Sequence, residues 1–422
     1  MGVQFLHALA ISTCLALLAG ACFRRTRSFA FTALGLATLE ILNWYQFQIV
    51  RPQLAGMVCC GVLLTLISSR RWRSFYWVAI PGTLALWANV HGSFIVGLAL
   101  LACATLGRAV DVWRRTGRWS AARNDVQVRR LFLATELAVV AVLANPYGLR
   151  LYGEVLTFSS NPNLQSLIEW DPLNFRTMQG ELAFAAALAL AVAYRLSPRR
   201  VPAGEALALV ALGAAAMWSA RFLVWWAPLA AACLAIHGHA AWRRFHPLTG
   251  PAVPAVRSGK WTAVTIGLVW IFFAWTPFGM QVIHGKTSEL RASVSKDTPL
   301  GAVEWLVEHP PAGPVFNTYE WGDYLVWAGP KGLKVFVTSQ AHLVPREVWR
   351  DYLTVINVGS GWDEIFDRYG IDTIVVDKAD RAALISKLKD DTHWKRSYED
   401  GLATIFTRQS RPQAPESNAH AP

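Results

Sequence analysis

The stretch Arg24–Gln53, RRTRSFAFTALGLATLEILNWYQFQIVRPQ, combines the three features that decide the fold of this chain. It begins with a cluster of arginines, continues with an apolar run over residues 29–48, and ends in polar side chains before Arg51 and Pro52. A helix needs roughly 20 apolar residues to cross the hydrocarbon core of a bilayer. The stretch therefore predicts a membrane span with one basic end and one polar end.

The same pattern recurs along the chain. Of the 422 residues, 54% are hydrophobic and only 16% are charged, whereas soluble domains carry about 25% charged residues. The apolar residues form blocks long enough to span a membrane, separated by polar or glycine- and proline-containing segments. The predicted spans lie near residues 3–22, 29–48, 54–68, 75–89, 92–107, 131–144, 181–195, 204–219, 222–238 and 261–280.

The positive residues between these spans predict the orientation. Alternate loops hold dense basic clusters, such as RRTR at Arg24–Arg27 and RRWR at Arg70–Arg73, while the opposite loops hold only Arg51, Arg150, Arg176 and Arg221. Basic loops stay in the cytoplasm. We therefore predict a multi-pass membrane protein in which the region after Met280 is extracytoplasmic, and periplasmic if the membrane is the inner membrane of a Gram-negative bacterium.

Charge and cysteine content exclude other classes of protein. The net charge of +12 resides in the short clusters between apolar blocks, and no nucleic-acid-binding motif accompanies it, so nucleic acid is not an expected partner. The six cysteines all lie in apolar segments and show no metal-binding spacing. They are expected to be small buried hydrophobic residues.

Polar residues gather at the predicted outer ends of the spans, and polar groups in this position are functional candidates. Two arginines can clamp a phosphate through forked hydrogen bonds. A nearby carboxylate can act as a general base or hold a divalent cation. Such a set of side chains suits chemistry on a lipid-linked phosphate donor. The candidate residues are Glu40, Arg51, Asn89, His91, Glu169, Asp171 and Arg221.

Each of these residues also has a purely structural interpretation. His91 could be a hydrogen-bonded interfacial residue, and Arg51 or Arg221 could extend toward lipid headgroups. The tryptophans Trp44, Trp87, Trp170, Trp225 and Trp226 could form an aromatic belt. The long loop at 155–180 could instead cover a cavity that faces the lipid.

Beyond the spans, alternating helix and strand patterns predict a small α/β domain. The predicted division is 1–284 for the transmembrane bundle, 285–408 for the extracytoplasmic domain and 409–422 for a disordered tail. GPVFNTY, LKVFVTS and IDTIVVD are predicted strands, and a hairpin closes the domain. In YEWGDYLVWAGP, Tyr319–Pro330, the aromatic residues are expected to pack the domain onto the spans while Asp323 caps a short helix.

The order of motifs resembles a family of bacterial polytopic membrane proteins in the C-type glycosyltransferase superfamily, together with protein mannosyltransferases, aminoarabinose transferases and oligosaccharyltransferases. The resemblance rests on RPQ, WANVHGSF, NPYG, EWDP, an arginine-led span and YEWGDYLVW followed by KVFV. It implies an α-helical polytopic membrane bundle of about ten spans with a C-terminal extracytoplasmic α/β domain. The implied reaction transfers a sugar from a polyprenyl-phosphate-linked donor, which is itself a membrane lipid. The sequence does not identify the acceptor.

The transferase hypothesis assigns roles to individual residues. Glu169, Asp171 and Glu40 are the expected catalytic residues, and Glu169 and Asp171 are the expected ligands of a divalent metal, Mg or Mn. The donor phosphate is expected to bind Arg51, Arg221, His91 and Asn89. EWGDY is similar to an acceptor-binding element of oligosaccharyltransferases, which implies acceptor contacts for Trp321, Asp323 and Tyr324.

Two departures from the family pattern support a second hypothesis. Nothing precedes the span at 3–22, whereas these transferases carry a catalytic acid in an external loop after their first span, and the first aspartate here is Asp111. In addition, Thr338, Ser339 and Gln340 stand where relatives often have a charged run. The chain is thus expected either to lack an upstream first span and loop or to be an inactive relative that binds a polyprenyl lipid or a partner protein. A transporter is a third hypothesis, disfavoured by the absence of an inverted repeat.

Overall fold

The computed structural model describes residues 2–69, 71–158, 160–247, 277–285 and 294–409. These residues form two compact units. The first lies within Met1–Ser159 and Leu167–Thr287, and the second within Ser160–Ser166 and Ser288–Pro422. Most of the predicted span at 261–280 and nearly all of the predicted tail at 409–422 lie outside the described residues.

The first unit is helical. Each predicted span before residue 240 coincides with a helix, while two short helices, α6 and α8, arise in segments that the sequence marked as loops. The helices are α1 (Gly2–Thr26), α2 (Phe29–Gln48), α3 (Gln53–Ile67), α4 (Tyr76–Val90), α5 (Phe94–Thr116), α6 (Trp119–Asn124), α7 (Val126–Val142), α8 (Arg150–Phe158), α9 (Met178–Leu196), α10 (Ala203–Trp218), α11 (Leu223–Phe245) and α12 (Pro277–His284).

Short polar side chains start several of these helices. Ser28 accepts a hydrogen bond from the amide of Phe31 at the start of α2, and Thr177 accepts one from Gly180 at the start of α9. Asp125 accepts two amide hydrogen bonds at the start of α7 and also pairs with Arg108. These side chains satisfy amide groups that have no partner within the first helical turn.

The centre of the first unit is α11. This helix packs against α1, α2, α3, α9 and α10, while α5 packs against α7 and α10. Glycine permits the closest of these approaches, because a Cβ atom on Gly107 of α5 would lie only 2.0 Å from the backbone nitrogen of Gly204 in α10. The core includes fully buried Leu63, Leu84 and Trp87.

Four helices of the described part of the chain are long and apolar enough to cross a membrane. They are Gln4–Thr26, Phe94–Thr116, Met178–Leu196 and Ala220–Phe245, and the shorter Gln53–Ile67 and Ala203–Trp218 are also apolar. Apolar helices of this length are the signature of a membrane protein. The count of ten spans remains a prediction.

The second unit contains a four-stranded sheet in the order β1-β2-β4-β3. Strand β1 is parallel to β2, β2 is antiparallel to β4, and β3 and β4 form the predicted hairpin. The elements are α13 (Leu300–Glu308), β1 (Val315–Asn317), α14 (Gly322–Ala328), α15 (Arg346–Ile356), α16 (Trp362–Arg368), β2 (Thr373–Asp377), α17 (Ala382–Asp390), β3 (Trp394–Glu399) and β4 (Ala403–Arg408).

The predicted strand LKVFVTS is wrong. Beside β1 it forms a single parallel bridge, between Val315 and Val335. The reason is Asn317, whose buried side-chain oxygen accepts the amide of Phe336 (3.0 Å) and whose amide group donates to the carbonyl of Val337 (2.9 Å). The amide of Phe336 also donates to the carbonyl of Val315 at 2.8 Å and so takes part in the bridge, while the carbonyl of Val337 is paired with a side chain instead of a strand, and the ladder stops.

The segment Ser160–Ser166 belongs to the second unit although it lies between α8 and α9 in the sequence. Buried Asn163 donates to the carbonyls of Ala341 and Val344, both at 2.8 Å. Ser166 accepts a hydrogen bond from the indole of Trp349 at 2.8 Å. The division that the sequence predicts at residue 284 does not assign this segment to the second domain. Part of the loop at 155–180, which was predicted to cover a cavity, is therefore held by hydrogen bonds within the second unit.

Candidate functional site

Two arginines that are far apart in the sequence converge on one carboxylate in the first unit. Arg51 donates through Nη2 to Oε1 of Glu169 at 2.6 Å, and Nη1 of Arg221 lies 3.4 Å from Oε2 of the same side chain. All three side chains are partly accessible, with exposed fractions of 33%, 29% and 47% for Arg51, Arg221 and Glu169. The cluster is therefore reachable by a ligand.

Three segments between helices hold this cluster. Arg51 lies in the link between α2 and α3, Glu169 in the 3₁₀ turn Ile168–Trp170, and Arg221 in the 3₁₀ turn Ala220–Phe222 before α11. The two 3₁₀ turns are joined because the amide of Ala220 donates to the carbonyl of Asp171 at 2.9 Å. A backbone contact thus fixes the spacing between Glu169 and Arg221.

Trp170 completes the cluster from one side. The guanidinium of Arg221 lies over its indole ring, 5.2 Å from the ring centroid, which is a cation–π contact. The indole N–H is buried and has no hydrogen-bond partner among the described residues. Buried donors are normally paired, so this unpaired group is an exception next to the cluster.

Electrostatics at the cluster favour anions. Burial raises the pKa of Glu169, but the hydrogen bond from Arg51 and the charges of Arg51 and Arg221 outweigh it, so the pKa lies below its ordinary value. Glu169 is therefore ionised at neutral pH. It neutralises only one of the two positive charges, and the cluster as a whole remains cationic.

His91 lies close enough to feel this charge. Burial first, and then the charge of Arg221, lower the pKa of His91 to about 4, so its ring is neutral at pH 7. Its Nδ1 atom is 2.7 Å from the hydroxyl of Ser93, which also accepts the indole N–H of Trp87 at 2.9 Å. The ring lies 6.4 Å from that of Trp225. A neutral, positioned imidazole results.

The remaining predicted residues have other surroundings. The amide of Asn89 donates to the carbonyls of Ala85 and Ala144, both at 2.8 Å, which ties the end of α4 to the end of α7. Asp171 lines a separate cavity of 880 Å³. Glu40 lies partly buried within α2. The structure gives neither carboxylate a contact with the arginine pair, and their catalytic roles remain predictions.

The residues at the cluster fit a metal ion poorly. Both carboxylate oxygens of Glu169 are engaged by arginines, and the neighbouring charges repel a cation. Among the described residues, no group of three or more His, Cys, Asp or Glu side chains could hold a metal. The role of Glu169 and Asp171 as ligands of Mg or Mn stays a prediction, and no step below depends on it.

The predicted acceptor-binding residues lie in the second unit. Trp321 is buried in its core and donates its indole N–H to the carbonyl of Asp297 at 2.9 Å. Tyr324 packs against the same core, next to the exposed Trp327. Asp323 does not cap α14, contrary to expectation, because its carboxylate instead accepts the hydroxyl of Ser339. Acceptor binding by these residues remains a prediction.

Sequence reasoning named the arginines and Glu169 but missed two supporting residues. Trp170 and Ser93 stand in the motifs EWDP and WANVHGSF, where the first was interpreted as part of an aromatic belt and the second received no role. The contact of Trp170 with Arg221 depends on how distant segments pack, whereas the contact of Ser93 with His91 is local to one turn. The one available signal was the clustering of polar residues at the predicted outer ends of the spans.

Comparison with known proteins leaves the family open. No family model matches the chain, and no characterised protein sequence matches it. A solved structure, ArnT from Cupriavidus metallidurans bound to undecaprenyl phosphate, is similar with a TM-score of 0.47 and 15% identity. The likeness covers 96% of this chain and 83% of that chain.

Proposed function

We propose that this membrane protein binds the phosphate of a polyprenyl-phosphate-linked sugar through Arg51 and Arg221 and transfers the sugar to an acceptor. The observation that carries the proposal is the convergence of both guanidinium groups on one carboxylate. A phosphate presents the same forked oxygen geometry as a carboxylate and carries equal or greater charge. Glu169 therefore occupies the position that the donor phosphate takes on binding.

Displacement of Glu169 would also prepare it for catalysis. The arginine contacts keep its pKa low against the effect of burial. When the phosphate replaces them, the pKa rises, and the carboxylate becomes a better base. His91 is a weaker choice, because its pKa of about 4 makes it a poor proton acceptor at neutral pH.

The reaction balances with these groups. Glu169 accepts the proton of an acceptor hydroxyl as the acceptor oxygen bonds to the anomeric carbon of the sugar. The bond from that carbon to the phosphate oxygen breaks, and polyprenyl phosphate leaves with the bonding electrons. Arg51 and Arg221 stabilise the charge that develops on the leaving phosphate. Attack opposite the leaving group inverts the configuration of the sugar.

A second candidate function is lipid binding without transfer. It is favoured by the fact that Glu169 is held by both arginines while Glu40 and Asp171 have no contact with them. Such a protein would bind a polyprenyl lipid, or a partner protein, and leave the sugar in place. The basic loops support an extracytoplasmic position for the cluster under either candidate.

Binding of undecaprenyl phosphate to the purified full chain in lipid nanodiscs tests the proposal. Loss of one charged hydrogen-bond donor costs about 1.5–3 kcal/mol, so Arg51→Ala and Arg221→Ala should each weaken binding about 10-fold or more. Arg150→Ala is the matched control, since Arg150 is an exposed arginine in the same set of loops. Equal affinities for all three variants would contradict the proposal.

Product analysis separates the two candidates. The chain is incubated with a polyprenyl-phosphate sugar and a membrane extract that contains acceptors. Loss of sugar from the lipid in the unmodified protein, but not in Glu169→Gln, supports transfer. Tight binding with no loss of sugar supports the silent lipid-binding protein.

A further inference from the structure

A second candidate ligand site lies inside the first unit, with its basic end away from the arginine pair. It is a cavity of 970 Å³ between α1, α3 and α11. Its walls include the apolar side chains of Leu18, Met57, Leu64, Leu229 and Ile236. A volume of this size is at the upper end of the range for sites that enclose an organic molecule, about 300–1,000 Å³.

One end of the cavity is strongly basic. Arg24, Arg25, Arg73 and Arg199 all line it, and Glu205 is the one carboxylate among the described residues that does so. Glu205 is already engaged, because its Oε1 accepts the hydroxyl of Tyr194 at 2.7 Å and lies 3.0 Å from Nε2 of His237. The basic end is therefore complementary to an anion.

The basic end is also structurally defined. Arg25 donates through Nη2 to the carbonyl of Ser68 at 2.6 Å, which joins the last turn of α1 to the end of α3. Ser68 and Ser69 line the cavity beside it. Guanidinium and hydroxyl groups thus surround one end, while the apolar residues lead away from it.

The lining of the cavity is at least as long as one leaflet of a membrane is thick. Along α1 the lining runs from Cys14 to Arg25, which corresponds to about 16 Å of helix. Along α11 it runs from Val224 to Ile236, about 18 Å. Half of a typical hydrocarbon core is about 15 Å. A free phosphate ion would leave most of this apolar length empty.

We propose that the cavity binds a single anionic lipid, with its phosphate among Arg24, Arg25, Arg73 and Arg199 and an apolar chain between α1, α3 and α11. Two features together favour a lipid as the occupant: the positive charge at one end, and apolar side chains along a wall that is at least as long as one leaflet is thick. The basic end of the cavity is distinct from the arginine pair at Glu169. Arg51 precedes α3 whereas Ser68 and Ser69 follow it, and α3 has 15 residues, or about 22 Å of helix.

Native mass spectrometry of the full chain can test this inference. The protein is exposed in detergent to phosphatidylglycerol, to phosphatidylcholine with the same acyl chains, and to inorganic phosphate. We expect the anionic lipid to be retained about 10-fold better than the zwitterionic lipid, with no retention of free phosphate. The double variant Arg24→Ala/Arg73→Ala should lose that preference.

Two further variants exclude trivial explanations. Arg114→Ala/Arg118→Ala removes two exposed arginines that do not line the cavity, and it should keep the preference. Ala232→Phe fills the apolar part and leaves all four arginines in place, and it should reduce retention of the lipid. An unchanged preference in both Arg24→Ala/Arg73→Ala and Ala232→Phe would overturn the inference.

The same measurement distinguishes this site from the proposed donor site. Arg51→Ala/Arg221→Ala should bind undecaprenyl phosphate poorly and retain phosphatidylglycerol normally. Loss of phosphatidylglycerol in that variant alone would assign the lipid to the Glu169 cluster and overturn the second site. Retention of inorganic phosphate as tightly as the lipid would show that the apolar wall contributes nothing, which also contradicts the inference.

Discussion

Replacing Glu169 with glutamine should strengthen the binding of a phosphate-headed lipid. In the structure this side chain occupies both guanidinium groups, Arg51 at 2.6 Å and Arg221 at 3.4 Å. A phosphate must displace it before it can bind. Glutamine keeps the size of the side chain but removes the charge that competes with the phosphate, so the arginines become free to bind it.

The magnitude follows from the exposure of the ion pairs. Because the three side chains are 29–47% exposed, each pair is worth about 0.2–1 kcal/mol. Removing both competing pairs should therefore raise the affinity for undecaprenyl phosphate about 2- to 30-fold. The assay is equilibrium binding in nanodiscs at pH 7.5, with Glu154→Gln as the control, since Glu154 is exposed on α8.

The pH dependence provides an independent check. The pKa of Glu169 in the folded protein lies below its ordinary value. Its ion pairs are therefore fully present above that ordinary value and are lost as the pH falls through the folded pKa. On acidification, the affinity of the unmodified protein should rise toward that of Glu169→Gln. The ratio of the two affinities is the quantity to follow, because protonation of the lipid phosphate affects both proteins equally. An affinity in Glu169→Gln that is unchanged or lower at neutral pH would refute the competition.

Three further predictions concern stability. Asn163→Ala removes the side-chain donor from the carbonyls of Ala341 and Val344, although the carbonyl of Ala341 keeps the amide of Val344 at 3.2 Å. It should therefore destabilise residues 341–344 by roughly 1–3 kcal/mol in hydrogen exchange; exposed Gln165→Ala should not, and equal exchange rates would contradict this. Gly107→Ala should lower the melting temperature in detergent, because its Cβ would lie 2.0 Å from the nitrogen of Gly204 and overpacking costs about 1–3 kcal/mol. Gly82→Ala, with nothing within 4 Å, should be harmless. Gly322→Ala places a Cβ 2.2 Å from the carbonyl oxygen of Val337 and should speed hydrogen exchange in α14. Gly401→Ala is the control, because its Cβ meets no atom within 4 Å. Similar hydrogen exchange in α14 in both variants would disprove the clash.

The helices of the first unit could be predicted because long apolar runs leave few alternatives. An apolar block such as Phe29–Gln48 has the length and composition of a span, and Ser28 before it is a strong helix start. The short helices α6 and α8 were missed because loop segments lack such a run. The hairpin β3–β4 and the fully buried β2 also followed from local pattern.

Other features could not be predicted because they depend on packing between distant residues. LKVFVTS has the composition of a strand, and only the contacts of Asn317 explain why the ladder stops. The segment Ser160–Ser166 carries no apolar pattern that marks its place in the second unit. The sequence predicts that Arg51, Arg221 and Glu169 lie at the outer face of the membrane. Their pairing depends on two 3₁₀ turns that are joined by the hydrogen bond between Ala220 and Asp171.

The most direct measurement of the central claim is a cryo-electron microscopy structure of the full chain in nanodiscs with undecaprenyl phosphate. The account predicts phosphate density between the guanidinium groups of Arg51 and Arg221, with the carboxylate of Glu169 released from both. An intact contact between Arg51 and Glu169, with the phosphate bound elsewhere, would contradict it.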